Sequence, residues 1–478
     1  MQTLTMKFGG TSVGSAEAIA QTAQIIQDAR QQADNVVVIV SAMSGVTNLL
    51  EEGIRCAATG DSDRHHQIAQ KLIDLHRKAA NDLLLGGKSI IKPPAAEAEY
   101  NTVTDQICGF VEEYRRICDS VRVLGETTPR ALDYTMGLGE RMSARLVAAA
   151  LRYQGLDAKS IDASDLVITD ENFQSASPLW EETQEMIDTT LKPVLEAGTV
   201  PVITGFIGAT RDGISTTLGR GGSDYSAAIF GTCVESNEVW IWTDVDGVMS
   251  ADPRVVPDAQ TIETLTYREV SELAYFGAKV LHPKTIRPVL EAGIALRVKN
   301  TFNPTHPGTL IVENGLKGQH NIKAVTAIRD LSLITVEGKG MLGVPGIAAR
   351  TFGAVARTGT SVLMISQSSS EQSICFVLPL GSARQVVKAL NDEFALEIAR
   401  RDIDEISSRD NVTIITVVGA GMREAPGIAG RIFTATGDAQ VNVIAITQGS
   451  SECSISMVVD APDADEGVRA IHTLTKTD

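Results

Sequence analysis

Apolar residues follow two rhythms in the first 310 residues of this chain. Solid apolar runs alternate with stretches of helical spacing. Val36 to Val40 is apolar at every position, as a parallel strand covered on both faces would be. Val200 to Thr204 and Val239 to Trp242 look similar, and the apolar stretch from Val200 on to Ile207 also reads as a buried strand. Ala16 to Gln31 reads as the first helix. From Glu140 to Gln154, Met142, Leu146, Val147, Ala150 and Leu151 share one face, and Gly155 closes that helix. Such alternation predicts an open α/β sheet with helices on both sides. Residues 61–119 are polar and helical, with Ile68, Leu72, Leu75 and Ala79 at helical spacing. They predict an inserted helical pair, broken near Gly86-Gly87 and Pro93-Pro94. His65, His66 and His76 are expected on a solvated face of this insertion rather than at a metal.

Glu313 to Asn321 is polar and glycine-bearing and reads as a linker. Beyond it the chain repeats itself at an offset of 81 residues, Gly338 answering to Gly419. Gly338-Lys339-Gly340-Met341 matches Gly419-Ala420-Gly421-Met422, and Pro345-Gly346-Ile347-Ala348 matches Pro426-Gly427-Ile428-Ala429. Arg350, Phe352 and Gln367 match Arg431, Phe433 and Gln448. Agreement at one offset marks a duplication. Each copy reads strand, helix, strand, strand, helix, a small ferredoxin-like α+β unit. Pro-Gly at each first helix offers backbone donors toward a small ligand.

A chain of 478 residues implies two or three domains. Its net charge of −17 argues against a nucleic-acid binder but leaves anionic ligands open, because local basic groups decide those. Six cysteines without a C-x-x-C pair suit reduced thiols in a cytoplasmic protein, each read first as core filling. The first residues lack a signal-peptide layout, and no run of about 18 apolar residues exists to span a membrane.

The strongest chemical signal is Gly219-Arg220-Gly221-Gly222-Ser223-Asp224, between an apolar run and the helix-forming Tyr225 to Gly231. Glycines at a helix start let backbone N–H groups approach an anion. Arg220 adds a donor fork suited to a carboxylate or phosphate. Ser223 and Asp224 can cap the helix, and Asp224 can meet a cation. A similar device opens the chain. Lys7-Phe8-Gly9-Gly10-Thr11-Ser12 closes the first strand, its glycines forming an N–H concavity beside a lysine that can reach a phosphoryl group. Thr243-Asp244 follows a strand at the sheet end where nucleotides bind, and Asp252-Pro253-Arg254 continues that loop. Phe276 to Pro283 holds a second lysine, Lys279; His282 there is read as structural. Two decoys fall away. Gly87-Lys88-Ser89 lacks the earlier P-loop glycine, Asp82 standing there. Gly338 to Gly343 fits G-x-G-x-x-G, but the next strand ends in Ile365-Ser366-Gln367 without an acid, so a dehydrogenase is not expected.

In this order the motifs resemble the aspartate kinases of the amino-acid kinase family, and the duplicated tail is similar to paired ACT domains. Val40-Ser41-Ala42-Met43 and Gly139-Glu140-Arg141 join the motifs above in carrying that resemblance. It implies a three-layer amino-acid-kinase-type open sheet over 1–312, a linker at 313–325, and ACT units at 326–404 and 405–478. It implies catalytic roles for Lys7, Asp224 and Lys279. Ser41, Thr47, Glu140, Arg220 and Ser223 would take the amino-acid substrate, with Glu140 on its ammonium and Arg220 on its α-carboxylate. Lys7, Gly9, Gly10, Ser12, Thr243, Asp244, Met249, Arg254 and Lys279 would bind ATP; Met249 stands where the family usually has an aromatic residue. An end-product amino acid would sit near Met341, Val344, Gly346, Ile347, Ala348, Ser361, Val362, Gln367 and Ser368.

The implied reaction phosphorylates the β-carboxylate of L-aspartate with ATP, on the way to lysine, threonine and methionine. A carboxylate needs no general base, which accounts for a site rich in Lys, Gly and Ser without a catalytic histidine. Mg²⁺ would keep waters and borrow phosphate oxygens, so few protein metal ligands are expected. Lysine or threonine would regulate a homodimer or higher oligomer joined through ACT domains. Two other readings stand beside this one: a kinase of the same superfamily acting on glutamate, acetylglutamate or carbamate, and a non-catalytic ACT sensor. With the chain stopping just after the second repeat, a fused homoserine dehydrogenase is not expected.

Overall fold

The computed structural model describes residues 2–61, 63–86, 93–277, 281, 283–313, 321–367, 372–422, 425–449 and 452–476. Its contacts divide the chain into two units. One comprises Met1–Val248, Thr261–Tyr267 and Leu281–Asn314; the other comprises Met249–Gln260, Arg268–Val280 and Gly315–Asp478.

The strands of the first unit are β1 (Thr3–Phe8), β2 (Asn35–Val40), β3 (Ala158–Ile161), β4 (Val200–Thr204), β5 (Ile207–Ala209), β6 (Ser215–Thr217), β7 (Glu238–Thr243), β8 (Thr264–Thr266), β9 (Ala295–Asn300) and β10 (Thr309–Val312). Its helices are α1 (Ala16–Arg30), α2 (Val46–Ala58), α3 (Arg64–Leu84), α4 (Pro93–Leu124), α5 (Pro129–Tyr153), α6 (Trp180–Met186), α7 (Lys192–Glu196) and α8 (Gly222–Cys233). After α9 (Tyr267–Tyr275), nearly all of which belongs to the second unit, comes α10 (Pro283–Glu291). Eight strands form one sheet in the order β3-β4-β2-β1-β7-β9-β10-β8, parallel throughout except between β9 and β10. All six residues of β1 are buried, as expected of a central strand roofed on both faces. α1 and α5 pack together on the side of β2 to β4, while α8 packs on β1 and β7 and against α10. The predicted open sheet with helices on both faces is therefore present.

Three local readings need correction. The apolar run from Val200 stops as a strand at Thr204. Phe206 takes a φ of 70°, and Ile207 begins a separate hairpin, β5–β6. Apolar content alone could not mark a left-handed residue. α5 begins eleven residues before Glu140 (140 − 129), because Thr128 caps it by accepting from the Ala131 N–H and Pro129 occupies its first turn. His65 and His76 are fully buried, not solvated. They continue the inner face of α3 set by Ile68, Leu72 and Ala79, which packs on α4. Burial lowers His76 to about 4, so its ring is neutral and bonds the Leu72 carbonyl. The inserted helical pair itself is present as α3 and α4, and Gly87-Lys88-Ser89 lies outside the described residues.

The second unit holds β11 (Ala324–Glu337), α11 (Ile347–Arg357), β12 (Met364–Gln367), β13 (Ser373–Pro379), α12 (Ala383–Glu393), α13 (Ala395–Arg400), β14 (Glu405–Val418), α14 (Ile428–Asp438), β15 (Val443–Gln448), β16 (Ser454–Asp460) and α15 (Ala464–His472). Each repeat folds as strand, helix, strand, strand, helix, and one sheet, β12-β13-β11-β14-β16-β15, unites them. The repeats complete one another. Ser332 to Glu337 of β11 pair with Asp410 back to Glu405, which gives the first repeat its fourth strand. Ala324 to Ile328 pair with Val418 back to Ile414, which gives the second repeat its fourth. The register breaks between these halves, at Asp330 (φ 57°) and Asn411 (φ 58°). Asp and Asn tolerate this region better than other non-glycine residues.

Two segments that precede the linker pack into this unit. Ala251 and Val256 join the core of Ile415, Val417 and Met457, and the Ser250 carbonyl accepts from Val325 N–H at 2.8 Å. On α9, the fully buried Glu269 accepts from Lys323 Nζ at 3.0 Å and from Ala420 N–H at 2.7 Å. Glu272 accepts from Ser454 Oγ at 2.8 Å.

Strand sharing has a thermodynamic consequence. Phe376→Ala in the first repeat and Met457→Ala in the second should each cost about 2–5 kcal/mol. Both should lower one common unfolding transition of the repeats, measured by calorimetry. Two transitions moving independently would contradict the sharing.

Candidate active site

The carboxyl ends of β4, β2, β1 and β7 open into a cleft of about 920 Å³, all of it in the first unit. Ligand sites form there in open α/β sheets because the loops leaving neighbouring strands diverge. Lys7, next to the last residue of β1, is buried up to its amino group, which lies 2.6 Å from Asp224 Oδ1 in the first turn of α8. The pair joins the two glycine-rich devices across the cleft.

Backbone geometry explains the glycines. At Gly10 a Cβ would lie 3.0 Å from the Ala42 carbonyl oxygen. Gly221 caps α8 at a φ of 73°, where a side chain would be strained. The first N–H groups of α8 have no partner within the helix, so this start suits an anion. Arg220 and Ser223 line the cleft beside it.

Glu140 gives the site its electrostatic character. It lies 3% exposed on α5, and Oε1 accepts from the Ala42 N–H at 3.1 Å. Among the described residues, Oε2 is buried without a hydrogen-bond partner. Burial raises its carboxyl to about 8, against the opposing pulls of the Ala42 N–H and the Lys7 charge. A buried acid with a spare oxygen, on a residue that lines a cleft, suits a cation that arrives with a ligand. Arg141, one residue on, turns the other way, to Asp162 at 3.1 Å and Ser215 at 3.2 Å, and serves structure.

Lys7, Gly9, Gly10, Ser41, Thr47, Glu140, Arg220, Ser223, Asp224, Thr243 and Asp244 all line this one cleft, though they come from separate parts of the sequence. Ser12 does not line it. Its hydroxyl is fully buried, accepts from Thr301 Oγ1 at 2.7 Å and donates to the Trp242 carbonyl at 3.4 Å. That hydroxyl ties the β1 loop to β7. Met249 and Arg254 belong to the second unit, where the exposed Arg254 makes a bidentate pair with Asp252 in its own loop. Lys279 and Ser368 lie outside the described residues. In the first repeat, Gly346 caps α11 at a φ of 92°. Val344, Ala348, Ser361 and Gln367 are exposed and Val362 is half-buried, whereas Met341 and Ile347 point into the core with Phe376.

Sequence reasoning missed Met136, Gln174, Phe206 and Thr217, which also line the cleft. Gln174 and Phe206 hold φ values of 68° and 70°. Nothing in the identity of either residue signals that conformation.

Comparison with known proteins accords with this geometry. The chain matches the amino acid kinase family over residues 2–300 and the ACT domain over 334–394 and 415–474. It is 37% identical over 473 residues to the chloroplastic bifunctional aspartokinase/homoserine dehydrogenase 1 of Arabidopsis thaliana, covering 98% of this chain and 50% of that one. It is 32% identical to chloroplastic aspartokinase 2 of the same plant, covering 98% and 84%. The chain thus spans about half the length of the bifunctional relatives it matches. Among solved structures, E. coli aspartokinase III in complex with aspartate and ADP superposes with a TM-score of 0.79, at 28% identity and 99% coverage of both chains. The same enzyme with lysine and aspartate gives 0.77 at the same identity. With residues 2–300 and both copies of the duplicated tail matched, the chain belongs to the amino acid kinase family, in the aspartokinase arrangement of one such domain followed by paired ACT domains.

Proposed function

We propose that this protein is an aspartate kinase, transferring the γ-phosphoryl group of ATP to the β-carboxylate of L-aspartate to give 4-phospho-L-aspartate and ADP. One observation carries the reading. A single cleft holds an unpartnered buried acid, Glu140, together with Lys7, Arg220 and a glycine-rich helix start. An amino acid with a second carboxylate and a phosphate chain would satisfy all four. The likeness to aspartokinase III, solved with aspartate and ADP, supports the same choice over glutamate, acetylglutamate or carbamate.

In this proposal Glu140 binds the substrate ammonium and Arg220 its α-carboxylate, with Ser41, Thr47 and Ser223 completing the acceptor side. A β-carboxylate oxygen forms a bond to the γ-phosphorus, and the bond to the bridging oxygen breaks as ADP leaves with its electron pair. No proton moves, so the protein's work is to hold two anions in line and to neutralise charge. Lys7 and Lys279 stabilise the transferring group; Gly9 and Gly10 offer N–H donors; Thr243, Asp244, Met249 and Arg254 serve the nucleotide. Asp224 is the carboxylate that would meet Mg²⁺, which when bound supplies neutralising charge to the phosphate oxygens.

The same proposal divides the chain into a kinase domain over 1–312 with an insertion at about 61–119, a linker at 313–325, and ACT units at 326–404 and 405–478. Lysine or threonine would bind the ACT units of a cytoplasmic, at least dimeric enzyme. α9 supports such regulation, because Glu269 and Glu272 fasten it to the second ACT unit and the chain then runs on to Lys279.

Hydroxylamine trapping across a panel of acidic amino acids tests the reaction. Hydroxamate should form with aspartate alone; formation with glutamate, or with none, rejects the assignment. Lys7→Ala should lower turnover by about 10²- to 10³-fold with folding retained, and near-normal turnover would remove Lys7 from the chemistry.

Glu140 also predicts a pH dependence. Its carboxyl titrates near 8 in the fold and near 4.5 unfolded, so the folded state holds the extra proton between these values. The stabilisation from that proton is complete below pH 4.5, falls as pH rises, and is gone above about 8. Glu140→Gln keeps the bond to Ala42 and never ionises. Its melting temperature should fall less than that of the wild type between pH 5 and pH 8, the wild-type window set by those two values. Parallel melting curves would contradict the buried neutral acid.

A further inference from the structure

We infer that Asp133 is the positioning residue for the acceptor half of the cleft, fixing two of its walls without touching the substrate. The inference rests on the aspartate kinase reading above.

Asp133 lies on α5, three residues before Met136 and seven before Glu140, so the three share one helix face. Met136 and Glu140 reach the cleft, whereas Asp133 is fully buried and does not. Its oxygens go to two chain segments far apart in sequence. Oδ2 accepts from Gln174 N–H at 2.8 Å and from Thr217 N–H at 2.9 Å. Oδ1 accepts from Thr217 Oγ1 at 2.9 Å. All three donors are neutral, and burial raises the Asp133 carboxyl above its ordinary range.

Both donor residues line the cleft. The two segments are joined again where Ala176 N–H donates to the Thr217 carbonyl at 2.9 Å. Three residues beyond Thr217 comes Arg220, and a Cβ on Gly219 would lie 3.0 Å from the Gln174 carbonyl oxygen. One carboxylate therefore sets the seat of Gln174, the end of β6 and the base of the glycine loop. A carboxylate accepting several N–H and O–H donors makes shorter, stronger bonds than a neutral group would. It also holds Gln174 in its left-handed conformation, which a non-glycine residue keeps only when its surroundings fix it. The phosphate-side devices, Lys7 and Gly9-Gly10, are on another loop and receive no bond from Asp133.

This separation gives the test. Asp133→Ala in the full chain should raise the aspartate KM about tenfold or more, as expected when buried donors lose their acceptor, and leave the ATP KM within about twofold. Asp133→Asn should restore most of the lost affinity, since its oxygen can take both N–H groups while its NH₂ donates to the Thr217 hydroxyl. Should Asp133→Ala fail to fold, Asp133→Glu keeps charge and acceptors but displaces them by one methylene, and should still raise the aspartate KM selectively. Equal rises in both KM values, a loss confined to kcat, or an Asn variant as impaired as the Ala variant would each overturn the inference. A wild-type enzyme that forms no aspartyl hydroxamate would instead defeat the kinase reading itself. A wild type that forms it, beside an Asp133→Ala variant with an unchanged aspartate KM, would defeat only the role of Asp133.

Discussion

A carboxyl group buried with half its hydrogen-bonding capacity unspent is costly to keep, and Glu140 is such a group. Its position depends on α5 lying close against the loop after β2. That contact is possible because Gly139 has no side chain; a Cβ there would come within 2.8 Å of Ala42 Cβ. The Ala42 N–H takes one oxygen and leaves the other without a partner among the described residues. A ligand that brings positive charge would offset that cost, which is why the proposed reading gives Glu140 the substrate ammonium. The rest of the cleft answers the opposite need. Arg220, Lys7 and the first turn of α8 line it with positive potential.

The second unit is governed by strand sharing. β11 and β14 each run through both repeats, and the left-handed Asp330 and Asn411 mark the step from one to the other. Neither repeat has four strands without its neighbour. A ligand that orders one repeat therefore acts on strands that belong to the other. α9 extends this mechanics beyond the repeats, because Glu269 holds both Lys323, just before β11, and Ala420, in the turn after β14.

Much of this was legible in the sequence because it depends on local rules. The solid apolar run at Val36 to Val40 could only be a strand covered twice, and the 81-residue offset from Gly338 to Gly419 could only be a duplication. Gly-rich turns beside Lys7 and Arg220 pointed to the cleft that both of them line. What escaped depends on distant partners. His65 and His76 were read by polarity, yet a buried neutral imidazole is compatible with a core when its bonding is local, as at Leu72. The burial of the Ser12 hydroxyl is set by Thr301, 289 residues away. The strand break at Phe206 and the conformation of Gln174 have no local signature. Asp133 carries no local signal, since its partners come from two later segments.

The most direct measurement of the central claim is the proton balance of substrate binding. Calorimetric titration of aspartate at pH 7, in buffers of differing ionisation enthalpy, counts protons released per ligand bound. With the Glu140 carboxyl near 8 before binding and ionised beside the substrate ammonium afterwards, close to one proton should be released, and none in Glu140→Gln. Binding with no proton released by the wild type, or with equal release by both proteins, would contradict the account.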